Sequence, residues 1–397
     1  MGKRRVAAAI IFGCCAAIRA QEPARVDLTA VNPPEAPAPL PLGPDQLAPV
    51  HTARAPSRPG LDFIAAPIPI SSPTLGTGLA AVAAVLFPIS KDDKVSPPTT
   101  VGVGGLYTDN HSWAFGAAAR LYLSEDRWRL LSGAARGEFR YKLSLPELAG
   151  TAGVPIRQTV KGLTAELLRR VSSVLFVGAR YTYADTAIGL NASDEDSESA
   201  PPPRDRSVRL AALGLRIQTD SRDSTFYPRR GALFDLTTDF YEPSFGGTRT
   251  YQSYKASFNA FFSTGERVVL AVRGSLCDVR GDAPVYALCL FGMQGDLRGY
   301  EVGRYIDRTM WSAQAEYRWR LPESLGSFFG RFGLVGFAGV GEVASSFTDG
   351  GSRDLLAGGG LGIRYLLSRQ NPINFRIDYA WGKAGNRGLH VGVGEAF

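Results

Sequence analysis

The stretch RTMWSAQAEYRWRL, residues 308–321, alternates with period two. Trp311, Ala313, Ala315, Tyr317, Trp319 and Leu321 fall on one face; Ser312, Gln314, Glu316, Arg318 and Arg320 fall on the other. Only an extended chain sends successive side chains to opposite faces, so the segment reads as a β-strand. What sets it apart is heavy charge on one face against an aromatic, apolar face on the other.

The pattern recurs. In NPINFRIDYAWGK (371–383), Ile373, Phe375, Ile377, Tyr379 and Trp381 oppose Asn374, Arg376 and Asp378. SGAARGEFRYKL (132–143) sets Gly133, Ala135, Gly137 and Phe139 against Arg136, Glu138, Arg140 and Lys142. YQSYKASFNAFF (251–262) places Lys255 and Asn259 opposite Tyr254, Phe258 and Phe262. A soluble sandwich would bury the apolar faces. Many long strands of this kind, with Trp and Tyr near their ends, fit a transmembrane antiparallel β-barrel better. The apolar faces then meet lipid and the charged faces line a wet lumen. No apolar run reaches the ~20 residues of a spanning helix; LAAVAAVLFPI (79–89) is too short.

Counting back from the C-terminus predicts strands over 388–397, 372–383, 355–368, 328–344, 308–321, 266–278, 250–263, 231–241 and 207–220. Earlier ones fall over 173–188, 157–170, 127–142, 111–123, 99–108, 76–89 and 61–70. That is an all-β chain of sixteen strands, the even number that returns both ends of a barrel to one side. Pro67 and Pro69 place the first at an edge or seam. Loops 189–206, 279–307 and 345–354 are long, whereas TGE (264–266) and SED (124–126) are tight, as expected of outer loops and periplasmic turns; the inner turns SKDDKVSPP (90–98) and SRDSTFYPRR (221–230) are longer exceptions.

The chain opens with MGKRRVAAAIIFGCCAAIRA. Lys3, Arg4 and Arg5 precede a short apolar run, so residues 1–20 read as a secretory signal peptide. Lipidation at Cys14 is the alternative, although Phe12 departs from the lipobox pattern. Residues 21–60 are a Pro/Ala-rich periplasmic linker, which leaves 61–397 for the barrel. The 397 residues carry a formal net charge of +7. Removing Lys3, Arg4, Arg5 and Arg19 leaves 40 basic against 37 acidic side chains, a net of +3. With no basic stripe interleaved with aromatics, nucleic-acid binding is not indicated. Cys277 and Cys289 remain after the signal; in an oxidising compartment they pair or stay as two apolar thiols, and both readings stand.

Chemistry is sparse. His51 falls in the linker, His111 in a short turn and His390 in the last strand, and no nucleophile-elbow motif accompanies any of them. The glycine runs VGVGG and AGGGLG lie in strands without a following Lys-Ser/Thr helix, so they are not phosphate cradles. Neither an enzyme nor a cofactor is indicated.

The segment GDLRGYEVGRYIDR (295–308), an outer loop five strands from the end, resembles the signature of the BamA superfamily of outer-membrane assembly and secretion barrels. That family carries a Val/Ile-Arg-Gly-Phe/Tyr tetrad on an inward-folded loop; here it is Leu297-Arg298-Gly299-Tyr300. TDSRDSTFYPRRG (219–231) is similar to the family's periplasmic turn through Asp220, Arg222, Asp223, Pro228 and Gly231. The C-terminal Phe397, with Val393, Val391 and Leu389, resembles an outer-membrane assembly signal that Glu395 interrupts. Two departures stand out. Periplasmic polypeptide-transport (POTRA) domains are not read from the sequence. The family's Phe-x-Asp-x-Gly also appears as Phe337-Ala338-Gly339-Val340-Gly341, without its aspartate.

The resemblance implies an outer-membrane barrel that aids insertion or transport of protein or lipid. It would be a monomer in outer-membrane lipid, inserted by the barrel-assembly machinery and served by a separate periplasmic partner. The competing expectation is a passive, loop-plugged porin. Physically, a guanidinium drawn into a lumen needs a carboxylate, and Glu316 on the next strand is the expected partner of Arg298. With Gly339 in place of the aspartate, Glu316 is expected to carry more of that pairing.

Overall fold

The computed structural model describes residues 61–72, 76–90, 92–93, 95–143, 154–190, 206–292, 296–300, 304–349, 355–368 and 372–397. The expected signal peptide and linker, and most of loop 189–206, lie outside the described residues. Strands β1 (Asp62–Ser72), β2 (Gly76–Phe87), β3 (Thr99–Thr108), β4 (Trp113–Leu123), β5 (Trp128–Leu143) and β6 (Val154–Arg170) follow in order. They continue as β7 (Leu175–Leu190), β8 (Arg206–Asp220), β9 (Gly231–Tyr241), β10 (Tyr251–Ser263) and β11 (Val268–Gly281). Two-residue strands β12 (Cys289–Leu290) and β13 (Ile306–Asp307) pair with each other inside the long connection. Then come β14 (Thr309–Arg320), β15 (Phe332–Ala344), β16 (Leu356–Ser368), β17 (Ile373–Gly382) and β18 (Arg387–Val393).

Leaving out β12 and β13, sixteen antiparallel strands form one sheet in chain order. The sheet curls until β1 lies beside β18, but among the described residues no ladder joins the two. The fold is thus a nearly closed barrel. Both ends of the sheet lie at one rim, which carries tight turns such as that between β4 and β5 but also the longer connections β2–β3, β8–β9 and β14–β15. The longest connection, β11–β14, lies at the other rim.

Alternation places Glu316, Arg318, Arg364, Arg376 and Asp378 inward and buried, while Leu215, Leu361, Ile363 and Tyr379 project outward and exposed. β1 tolerates its prolines because it is an edge. Its ladder with β2 runs unbroken from Asp62 to Ser72. Pro67 and Pro69 are two residues apart, so both missing N–H groups point to the same side, away from β2 and toward the seam.

Three expectations are corrected. β18 stops at Val393 rather than running to 397, because Gly394 takes a φ of +89° and turns the last residues inward. β15 starts at Phe332, after a 3-10 turn over Phe329–Arg331. On β5 the faces are reversed: Phe139 is buried inside, and Arg136 lies exposed on the outer wall. Arg129 decides this. Its Nη1 donates to Gln218 on β8 at 2.9 Å, which draws the odd-numbered residues of β5 into the lumen.

Candidate functional site

The connection between β11 and β14 folds into the barrel instead of standing above it. A disulfide between Cys277 on β11 and Cys289 on β12 ties its root to the wall. Beyond it, Phe291, Leu297 and Tyr300 are buried, packed with Tyr286, Val279 and Leu356. Glycines on the lumen face make room for these side chains. A Cβ on Gly339 would stand 2.8 Å from Leu297 Cδ1, and one on Gly341 would stand 2.6 Å from the Phe291 ring. One on Gly382 would meet the Tyr300 ring at 2.6 Å. The run GGG at 358–360 thus serves close packing: Gly358 faces the Tyr300 ring.

Gly299 is required on two counts. Its φ is +104°, which L side chains rarely adopt, and a Cβ would lie 2.9 Å from the Trp381 backbone. Its N–H donates to His390 Nε2 at 3.3 Å. The Tyr300 hydroxyl donates to the Ala357 carbonyl at 2.5 Å and accepts from the Lys383 N–H at 3.0 Å. Burial raises the Tyr300 hydroxyl above its ordinary pKa. The loop is therefore bonded at successive residues to β16, the β17 end and β18.

Arg298 is fully buried. Its Nη2 donates to Glu316 Oε2 on β14, and its Nη1 donates to Asp378 Oδ2 on β17 at 2.5 Å. The guanidinium lies 3.6 Å from the centroid of the Phe337 ring. The two carboxylates are held in turn. Arg318 Nε donates to Glu316 Oε1 at 2.7 Å, and Arg364 Nη1 donates to Asp378 Oδ1 at 2.5 Å. Arg364 Nε donates to Glu395 Oε2 at 2.8 Å, and Asn374 donates to the other oxygen of Glu395. A buried charge is costly alone, and here each carboxylate answers at least two donors.

The C-terminus belongs to this network. Arg318 Nη2 donates to the Phe397 carbonyl oxygen at 2.8 Å, and its guanidinium lies 5.5 Å from the Phe397 ring centroid. Burial raises the Glu395 carboxyl, but Arg364 and Arg318 outweigh it and hold it below its ordinary value.

The turn between β8 and β9 reaches the same region. Arg222 grips Asp220 bidentately at 2.9 and 3.0 Å, and Asp223 Oδ1 accepts the N–H groups of Arg229 and Arg230. Gly231 closes the turn with a φ of +96°, and Pro228 is buried within it. The turn presents two aromatics. Tyr227 packs with Phe261, Val269 and Phe397. Phe226 packs with Leu86 of β2 and Ile373 of β17, against Ile64 of β1 and Val393 of β18. One side chain from mid-sheet therefore sits across the unladdered seam.

A model of the Omp85 superfamily domain matches residues 156–397, over half of the chain. The chain belongs to the Omp85 superfamily. Among proteins with curated descriptions, none matches. Of solved structures, BamA from Haemophilus ducreyi lacking POTRA domains 1–3 is similar at 14% identity and a TM-score of 0.56, over 85% of this chain and 69% of that one. CdiB from Escherichia coli is similar at 11% identity and a TM-score of 0.54, over 87% and 66%. CdiB from Acinetobacter baumannii is similar at 12% and 0.52, over 83% and 59%. At such identities these structures show the shared fold; the family rests on the domain match. As an Omp85 barrel, the protein resides in the Gram-negative outer membrane, in a family of assembly and secretion barrels that work with partner proteins.

Within this Omp85 barrel, the expectation that Glu316 would bear more of the Arg298 pairing is modified. Asp378 on β17 shares the pairing equally, from the opposite side of the guanidinium. Position 339 cannot hold an aspartate alongside Leu297, whose side chain fills that space. Asp378 lay on the polar face of its strand in the sequence, but no local signal set it apart from Arg376 or Asn374. Arg364 and Glu395 were missed as partners for the same reason.

Proposed function

We propose that the protein inserts or translocates amphipathic outer-membrane clients through the seam between β1 and β18, as a monomer working with a separate periplasmic partner. The carrying observation is the seam itself: β1 and β18 lie side by side without a ladder. Pro67 and Pro69 withhold two donors from that edge, and β18 is only seven residues long. Edges of this kind accept an incoming strand.

The lumen wall next to the seam supports the same reading. Inward positions of β1 to β3 carry Ile64, Ala66, Val82, Leu86 and Leu106. A solute pore is lined by polar groups, whereas this wall suits an apolar client, and the inserted loop occupies the lumen that a porin leaves open.

A reversible lock tests the proposal. Ile64→Cys with Val393→Cys, oxidised in the cell, is expected to reproduce the outer-membrane protein and lipid changes of a deletion strain, measured by quantitative mass spectrometry. Reduction and each single variant should restore the normal profile. A locked barrel that behaves as wild type overturns the seam mechanism. Large, steady conductance of the wild-type protein in planar bilayers would favour the porin.

A further inference from the structure

The polar face of β5 points out of the barrel, and its neighbours continue it. Register puts Arg136, Glu138 and Arg140 on the outer wall beside Arg157 and Lys161 of β6, Asp185 of β7 and Arg209 of β8. The acids are shared among the bases. Glu138 pairs with Arg140 and Arg157, each at 2.8 Å, and Asp185 pairs with Lys161 at 3.1 Å. Five cations thus face two carboxylates. The pairs do not cover the cations: the side chains of Arg157 and Lys161 keep 52% and 62% of their exposure, and Arg136 and Arg209 are exposed.

Their height in the wall is informative. From Lys161 toward the terminal rim, the outward residues of β6 are apolar until Arg169. Eight residues of tilted strand span roughly 20 Å, close to the apolar band of an outer-membrane barrel. The cations therefore stand at the upper edge of that band, on the rim with the long loops. Trp113 and Phe115, stacked at 5.7 Å, lie directly opposite Glu138 and Arg136 in register, as aromatics at a membrane interface do. Below the cations, Leu163, Leu213 and Leu215 form an exposed apolar wall.

We propose that this outward face of β5 to β8 binds the phosphate groups of an anionic glycolipid headgroup in the outer leaflet, with the acyl chains lying on the apolar wall beneath. Guanidinium forks match phosphate oxygens bidentately, and among the described residues of this face the cations outnumber the acids. An amphiphile satisfies both the basic row and the apolar wall below it, which free phosphate does not.

Native mass spectrometry of the full-length protein in detergent, titrated with bis-phosphorylated lipid A, tests the assignment. Each lost cation near a charged membrane surface weakens binding roughly fivefold, so Arg136→Gln/Arg157→Gln/Lys161→Gln should weaken it on the order of a hundredfold. Arg169→Gln, on the same face at the opposite edge of the band, should leave affinity unchanged. If the triple variant loses heat-modifiable migration, Arg136→Gln alone should still show the fivefold loss. Dephosphorylated lipid binding as tightly, inorganic phosphate displacing the lipid at equal concentration, or undiminished binding by the folded variant would each overturn the proposal.

Discussion

Arg298 holds its guanidinium between Glu316 of β14 and Asp378 of β17, each joined to a different Nη. The two strands are separated in the wall by β15 and β16, so the arginine braces a span of curved sheet wider than any single ladder bond. Phe337 of β15 supplies the floor. Removing the guanidinium takes one of two cationic partners from each buried carboxylate; Arg318 and Arg364 stay bound, so the cost falls below the ~3–5 kcal/mol of leaving a buried charge alone. Arg298→Ala is expected to lower the thermal midpoint, release the loop to protease and raise conductance. Arg298→Lys should recover only part, because one ammonium cannot bridge both acids in a fixed plane. Limited proteolysis and bilayer recordings check both.

Restoring the family's aspartate should do harm here. A Cβ at Gly339 already stands 2.6 Å from the Ala313 carbonyl and 2.8 Å from Leu297. Gly339→Asp is expected to destabilise the barrel by about 1–3 kcal/mol, the usual range for overpacking. Leu297→Ala in the same chain should relieve part of that loss. A double-mutant cycle of thermal unfolding gives the coupling; simple additivity would show that Leu297 is not the obstacle.

Phe226 is expected to hold the seam. Truncating a buried Phe costs about 3–5 kcal/mol, and the cluster it belongs to draws on β1, β2, β17 and β18. Phe226→Ala should speed hydrogen exchange in those strands while leaving β5 to β7 unchanged. A uniform increase would assign Phe226 a general packing role.

Acid should free the C-terminus. Glu395 titrates below its ordinary value of 4.5, held there by Arg364 and Arg318 against burial. Its stabilisation is thus fully present above that value and is lost as pH falls through the lowered one. Hydrogen exchange after brief acid pulses should show protection of residues 394–397 constant from pH 7 to about pH 5 and falling below pH 4. In Glu395→Gln this step should vanish.

Strand positions were legible in the sequence because period two is a property of the extended backbone itself. Strands β9 and β10 fall within a residue of the expected spans, and both prolines of β1 correctly marked an edge. The tetrad and the facing position of Glu316 were legible too, since Glu316 lies only 18 residues beyond Arg298. Asp378, 80 residues away, was not: it becomes a neighbour only when the sheet curls and the loop enters. Alternation also could not say which face of β5 looks inward. Period two separates the faces of a strand but does not name them. The contact from Arg129 to Gln218, 89 residues apart, assigns the inner face of β5. The inward turn of the last four residues and the reach of Phe226 to the seam have the same origin. Both depend on partners that only barrel closure brings together.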